Sequence, residues 1–309
     1  MKIRLFVFLF GLFMAFTSSA QSVVDTGYVA TYEQKMSVTT FVLNSSIQVR
    51  ENHNNYIPNY PLDAGVGFSL KNTVIDAIYA FSIVPLKSKA FGKTEVMDFQ
   101  IHHYSRYFLL DLFWQNYKGF YLGSKDVTLY PEMAVQQIGG EGTYVFNGDK
   151  FSAKAAFDQS EKQLKSAGSF LLGGGMYLYK VGMGSNLLVN GNQQADNFQL
   201  GANAGYGYSK VINNHWLLSG TATVGANLGN EPELLKDGEV RVFPTAFARG
   251  AAVYNKADWA VSFSFLIHTK SINSLQDNTI NITTIDMQLS YVKHFDRFFK
   301  KQKAQVKDN

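Results

Sequence analysis

Asp98, Gln100 and His102 stand two residues apart in the run Met97–Tyr104, and Asp111 and Gln115 stand four apart in Phe108–Tyr121. On extended chain such spacings put the side chains of each set on one face. Carboxylates and an imidazole gathered this way can bind a small polar ligand, line a polar path, or neutralise one another inside a narrow interior. Lys154 and Asp158, then Arg249, then Asp286 with Gln288, extend the set along the chain. These residues are the candidates for a shared interior, and other chemistry finds little support. The six histidines, His53, His102, His103, His215, His268 and His294, fall in no metal-binding spacing such as HExxH, and neighbours His102 and His103 point to opposite faces of a strand. No G-x-S-x-G elbow occurs, and no His-x-Ser pair lies on an outward strand face. Cysteine is absent, which removes thiol nucleophiles and thiolate sites. No catalytic residue, metal site or cofactor site is expected.

The elements that must position these side chains are strands. Trp216, Leu218, Ala222, Val224, Ala226 and Leu228 alternate with Ser219, Thr221, Thr223 and Asn227. Phe198, Leu200, Ala202, Ala204, Tyr206 and Tyr208 alternate with Gln199, Asn203 and Ser209, and Trp259, Val261, Phe263, Phe265 and Ile267 repeat the pattern. A period of two sustained this long means strands with one apolar face. Weaker alternation marks Leu62–Leu70, Ile75–Val84, Met97–Tyr104, Phe108–Tyr121, Phe151–Gln159 and Ile285–Phe295. Near the start, Phe41, Leu43, Ile47 and Val49 share a face. The stretch Lys165–Gly182, KSAGSFLLGGGMYLYKVG, is glycine-rich but lacks the Lys-Ser/Thr pair of a phosphate loop. It reads as a strand apolar on both faces, with glycine where something packs close to the backbone.

The chain opens MKIRLFVFLFGLFMAFTSSAQS: a basic start, an apolar run from Leu5 to Phe16, and small residues before Gln21. That is the pattern of a secretory signal peptide cleaved near Ala20–Gln21. Lys2 and Arg4 supply two of the formal net charge of +4, so the mature chain has too little positive charge to point to nucleic acid. Aromatics are 15% of residues, with 25 Phe and 17 Tyr, while overall hydrophobicity is an ordinary 46%. After the signal peptide no window approaches twenty apolar residues, which excludes a helical span. An exported, aromatic-rich chain of average hydropathy suits a barrel in which only alternate residues face lipid.

The connections alternate long and short, with long ones at Glu51–Tyr60, Leu86–Lys93, Leu122–Lys150, Gly182–Asp196, Asn230–Gly238 and Lys270–Asn278. The pattern predicts an all-β, antiparallel transmembrane barrel of about twelve strands, with short periplasmic turns and longer outer loops. Leu122–Lys150 is too long for a plain loop. It reads as holding a short helix after Pro131 that folds into or across the barrel mouth, or else a further strand near Ile138–Phe146. The organisation is then a signal peptide over 1–20, a periplasmic segment over 21–35, the barrel over 36–296 and a basic tail over 297–309. Expected partners are outer-membrane lipid and lipopolysaccharide, with the barrel-assembly machinery during biogenesis, and the oligomeric state stays open. Three roles are compatible: a narrow pore or binding barrel for a small or lipidic ligand, a lipid-modifying enzyme, or a structural or adhesive barrel acting through its outer loops.

The runs DFQIHHYSRYFLLDLFWQNYKGFYL, YVFNGDKFSAKAAFDQSEKQLKSAGSFLLGG and IPNYPLDAGVGFSLK resemble a family of exported Bacteroidetes proteins known as domain of unknown function 4421. Lys165–Phe170 with Gly173 and Gly174 is the most specific part, and the likeness covers nearly all the mature chain. The resemblance implies an outer-membrane barrel and carries no activity with it.

Overall fold

The computed structural model describes residues 24–70, 77–85, 87–123, 126–182, 194–273 and 279–296. The signal-peptide and basic-tail readings, residues 1–20 and 297–309, lie outside them. The long strands are β2 (Met36–Glu51), β4 (Pro61–Leu70), β5 (Ala77–Pro85), β6 (Glu95–Tyr104), β7 (Phe108–Leu122), β8 (Thr128–Val145), β10 (Ala167–Gly182), β11 (Gln194–Val211), β12 (Trp216–Asn230), β13 (Arg241–Asn255), β14 (Trp259–Asn273) and β15 (Thr279–Phe295). Short strands β1 (Val29–Thr31), β3 (Asn54–Pro58) and β9 (Glu161–Gln163), and helices α1 (Ala153–Phe157) and α2 (Pro232–Lys236), lie between them.

Antiparallel pairing runs from β7 through β8 and β10 to β15, and β15 returns to β2 over the full length from Ile280↔Glu51 to Phe295↔Met36. The ring closes through β3, which pairs with β2 at Val49–Glu51 on one side and with β7 at Tyr121 and Phe120 on the other. Among the described residues the closed hydrogen-bonded circuit therefore has ten strands, so the ring itself has no terminal strand. β4 and β5 continue from the lower half of β2, and β6 from β7. Among the described residues β5 and β6 are not paired with each other. The expected twelve-strand ring is thus built differently. β3 takes the place beside both β2 and β7 at one end, while β5 and β6 extend from β4 and β7 outside the ring. Asn59 fastens that arrangement: its N–H donates to Thr94 Oγ1 (2.8 Å), its Nδ2 to Gly92 O (2.7 Å), and Thr94 Oγ1 donates to Gly119 O (2.6 Å).

Two expectations are corrected together. Of the two readings of Leu122–Lys150, the helix after Pro131 gives way to the strand, which is longer than Ile138–Phe146: it is β8, whose inward residues Met133, Val135, Gln137, Thr143 and Val145 alternate with exposed or half-exposed neighbours. Gly139, Gly140 and Gly142 interrupt the apolar pattern and conceal it. Pro131 is tolerated because pairing to β10 begins only at Ala134, and on the β7 side Pro131 falls at the bulge between Lys118 and Phe120. Conversely Phe151–Gln159, read as a strand, is not one. Ser152 Oγ accepts from Ala155 N–H (3.1 Å) and starts α1 on an alanine-rich run, a favoured N-cap on a favoured sequence. The alternation of Phe151, Ala153, Ala155 and Phe157 imitated a strand. The long connection 146–166 consequently belongs to the end of the barrel that carries both chain ends, where β1 pairs with β9.

The outside of the wall is apolar. Phe170, Leu172, Met176, Leu178, Leu200, Leu218, Val224, Leu228, Phe263, Phe265, Met287 and Leu289 are exposed, as their parity predicts. β2 is the exception: Phe41, Ile47 and Val49 point inward and are buried. At the chain-end rim the rings of Trp216, Tyr254, Trp259 and Tyr291 follow one another at centroid spacings of 5.1, 5.8 and 5.9 Å.

Candidate functional site

The barrel interior has three levels. Toward the far end, Ile47, Val49, Tyr56, Phe120, Met133, Val135, Tyr179, Val181, Ile272, Ile280 and Ile282 fill it with apolar and aromatic side chains. Toward the chain-end side, Phe151, Ala153 and Ala155 from the α1 segment meet Leu109, Val145, Leu171, Leu217 and Val253 from the wall. Between these apolar levels lies a cavity of about 50 Å³ whose lining includes His102, Asp111, Gln137, Glu141, Arg249, His268, Lys270 and Asp286. Since one water needs about 10–15 Å³ of such space, the chamber has room for a few waters or one small ion.

Of the residues singled out from sequence, His102, Asp111, Arg249 and Asp286 meet at this chamber. His102 Nδ1 lies 2.5 Å from Asp111 Oδ1, and Arg249 Nη2 donates to the same oxygen at 3.2 Å. Arg249 Nη1 donates to Tyr104 Oη (2.6 Å), and its guanidinium stands over the rings of Tyr104, Phe247 and Phe157, at 5.2 Å from the last. Phe157 belongs to α1, so the chain-end segment reaches the charged layer directly. Asp98 sits beside the chamber, accepting from Gln115 Nε2, Tyr117 Oη (both 2.8 Å) and Gln100 Nε2 (3.0 Å). Ser45 Oγ contacts Tyr117 Oη and donates to Asp286, while Gln137 links Gln115 to Thr284. One polar network thereby ties β2, β6, β7, β8 and β15 together across the interior, and its buried groups are satisfied as burial requires.

Lys154 and Asp158 are placed elsewhere. They lie on α1 and at its C-terminus, where Asp158 Oδ1 accepts from Ser160 N–H (2.8 Å) and Oγ (2.6 Å), and they do not line the chamber. Their strand parity had no meaning once the segment proved helical.

Glu141, His268 and Lys270 were missed. Glu141 lay in the segment read as a loop. It accepts from Tyr177 Oη and from Asn203 Nδ2, both at 2.8 Å. The signal for His268 and Lys270 is present in the sequence, since both share the parity opposite Phe263, Phe265 and Ile267, but the apolar series that marks the strand stops at Ile267. The Lys270 ammonium lies 3.5 Å from the Tyr177 ring centroid and 4.8 Å from that of Phe113. Gly175 explains part of the glycine run that the sequence left open: it pairs with both Glu141 and Gly201, and a Cβ there would collide with the Tyr177 hydroxyl on its way to Glu141.

The chain-end segment is held by its own polar contacts. Arg106 pairs with Glu161, which also accepts from Ser152 Oγ (2.6 Å), and Gln163 Nε2 donates to Lys150 O (2.6 Å). Tyr32 stacks on His294 with centroids 3.6 Å apart, and burial raises its phenol above the usual range. Lys162 Nζ donates to Lys256 O (2.6 Å), and burial lowers its ammonium. In the turn before β14, the Lys293 partner holds the Asp258 carboxyl below its usual value.

A family model described as Domain of unknown function (DUF4421) matches residues 23–295. No curated protein matches. Among solved structures, the outer membrane protease OmpT from Escherichia coli is similar at 6% identity, with 84% of this chain and 97% of that chain covered and a TM-score of 0.34. The CymD monoaromatic hydrocarbon channel is similar at 9% identity, covering 86% and 90%, with a TM-score of 0.30. Ail, the attachment invasion locus protein of Yersinia pestis, is similar at 9% identity, covering 84% and 99%, with a TM-score of 0.21.

Proposed function

We propose that this chain, which belongs to the family described as Domain of unknown function (DUF4421), is an outer-membrane barrel that acts as a closed, ligand-holding vessel rather than an open diffusion pore. The membrane part of the reading is supported by the outward belt of Leu, Val, Phe and Met and by the aromatic chain at one rim. Water gives no reason to expose so much apolar wall, whereas hydrocarbon does, and aromatic rings favour the boundary between the two. In this reading the chain-end side faces the periplasm, lipid and lipopolysaccharide surround the wall, and the assembly machinery inserts it.

The observation that carries the functional part is the sandwich of a polar chamber between two apolar levels. A diffusion pore needs a continuous wetted path. A binding barrel needs a small compartment lined by fixed charges, which the mid-level layer supplies. The segment expected to gate the mouth, Leu122–Lys150, is mostly wall, and the closing element in this reading is the chain-end segment 146–166. Liposome swelling tests the reading. Vesicles containing the folded protein should take up sugars and amino acids no faster than empty vesicles, and rapid uptake would overturn it.

A further inference from the structure

His294 is the last residue but one of β15, and its backbone N–H donates to Asp258 O in the turn before β14 (2.8 Å). That contact sets it beyond Trp259, on the chain-end side of the aromatic rim and outside the span. Its ring is buried and held by two elements. Tyr32 of β1 stacks on it with centroids 3.6 Å apart and planes at 15°, and Nε2 donates to Gln159 O of the closing segment at 3.0 Å. Gln159 presents that carbonyl from a left-handed backbone, φ 54°, while its own Nε2 donates to Ala156 O at the end of α1 (2.8 Å). A non-glycine residue keeps such a conformation only where its surroundings hold it.

We propose that His294 is a proton-sensitive latch on the chain-end segment: the neutral ring holds 146–166 in the barrel end, and protonation in mildly acidic medium releases it. The proposal rests on the closed-vessel reading and names what regulates the closing element. With Nε2–H on a carbonyl, the second proton would go to Nδ1, where among the described residues no acceptor stands. A buried charge without a partner is costly. Lys162 of β9 and Lys293 beside the ring also oppose it. Asp258 acts the other way but is already paired with Lys293, and the residue facing His294 on β2 is uncharged Ser37. Burial, joined by the two lysines, lowers the imidazole to about 4, against about 6.5 for a released histidine. Docking is then fully stabilised above pH 6.5 and weakens about tenfold per pH unit as pH falls from there toward 4.

The test is a nitroxide at Lys154→Cys on α1, read by electron paramagnetic resonance in lipid nanodiscs, in the Phe151→Ala background where docking is already loosened. The ratio of mobile to immobile label should rise about tenfold per pH unit below 6.5. In His294→Phe, which keeps a ring against Tyr32 but cannot titrate, the rise should vanish. A flat ratio with His294 present, or the same rise in His294→Phe, overturns the proposal. Should His294→Phe lose its docking altogether, the imidazole titration followed by NMR in otherwise wild-type protein decides. A midpoint below 5.5 supports the latch, and one at 6.5 or above refutes it. Rapid solute uptake at pH 7.5 with the pH response intact would sink the closed vessel and leave the latch standing.

Discussion

Arg249 of β13 and Asp111 of β7 meet across the barrel interior at 3.2 Å, although neither strand pairs with the other. The contact braces opposite walls, and it is buried on the arginine side, with Arg249 7% exposed. Removing one partner of such a pair leaves an uncompensated charge. Arg249→Met should therefore lower unfolding free energy by about 3–5 kcal/mol in denaturant titrations of the folded barrel. Asp111→Asn added to that variant should restore part of the loss, because the stranded carboxylate disappears. Equal losses adding without compensation would show that the two residues act independently.

Phe151 anchors the chain-end segment among Val145, Ala167 and Leu171. Phe151→Ala should destabilise docking by about 3–5 kcal/mol, the usual range for a buried ring. Limited proteolysis should then cut within 146–166 while the rest of the barrel resists. Glu161→Ala, which frees both Arg106 and Ser152, should act in the same direction.

Val224 stands 70% exposed at the middle of β12, between inward Thr223 and Gly225. If lipid covers this wall, Val224→Arg should cost about 2–4 kcal/mol when the protein folds into vesicles. In a detergent-free aqueous setting a surface arginine would cost almost nothing, so the depth of the penalty in lipid distinguishes the two surroundings.

Asp258 and Lys293 join the turn before β14 to the last strand. A carboxyl depressed by its partner contributes stability above its unfolded value, about pH 4, and loses it as pH falls through the folded value. Carbon-detected titration should give Asp258 a lower midpoint in the wild type than in Lys293→Met. An unchanged midpoint would mean that the pair does not persist in solution.

Much of the wall was legible because its alternation is physical: β11, β12 and β14 each show lipid-compatible residues on one parity and small polar residues on the other. The signal failed where composition cut across that code. β8 breaks its apolar series with Gly139, Gly140 and Gly142, which sit where Phe113, Leu112 and Phe108 of β7 press against the strand. α1 copied a strand because alanine and phenylalanine at alternate positions suit either element over five residues. Inward Ile47 and Val49 on β2 could not be told from outward ones, since the far end of the interior is itself apolar, and buried Phe41 covers Gly65 of β4. Asp98, His102, Asp111, Arg249 and Asp286 were recoverable as a set, being ionisable residues on the parity opposite an apolar face. Their convergence was not, because pairing across the interior depends on register between strands more than a hundred residues apart.

Single-channel recording from the folded protein in planar bilayers tests the central claim most directly. The closed-vessel reading predicts a silent membrane for the wild type, with protein shown to be folded by its resistance to protease, and silence also in Phe151→Ala, because the far-end apolar level still fills the interior when the chain-end segment loosens. Steady ohmic steps from the wild type, altered by neutralising Asp111 or Arg249, would contradict it and make the charged layer part of an open path.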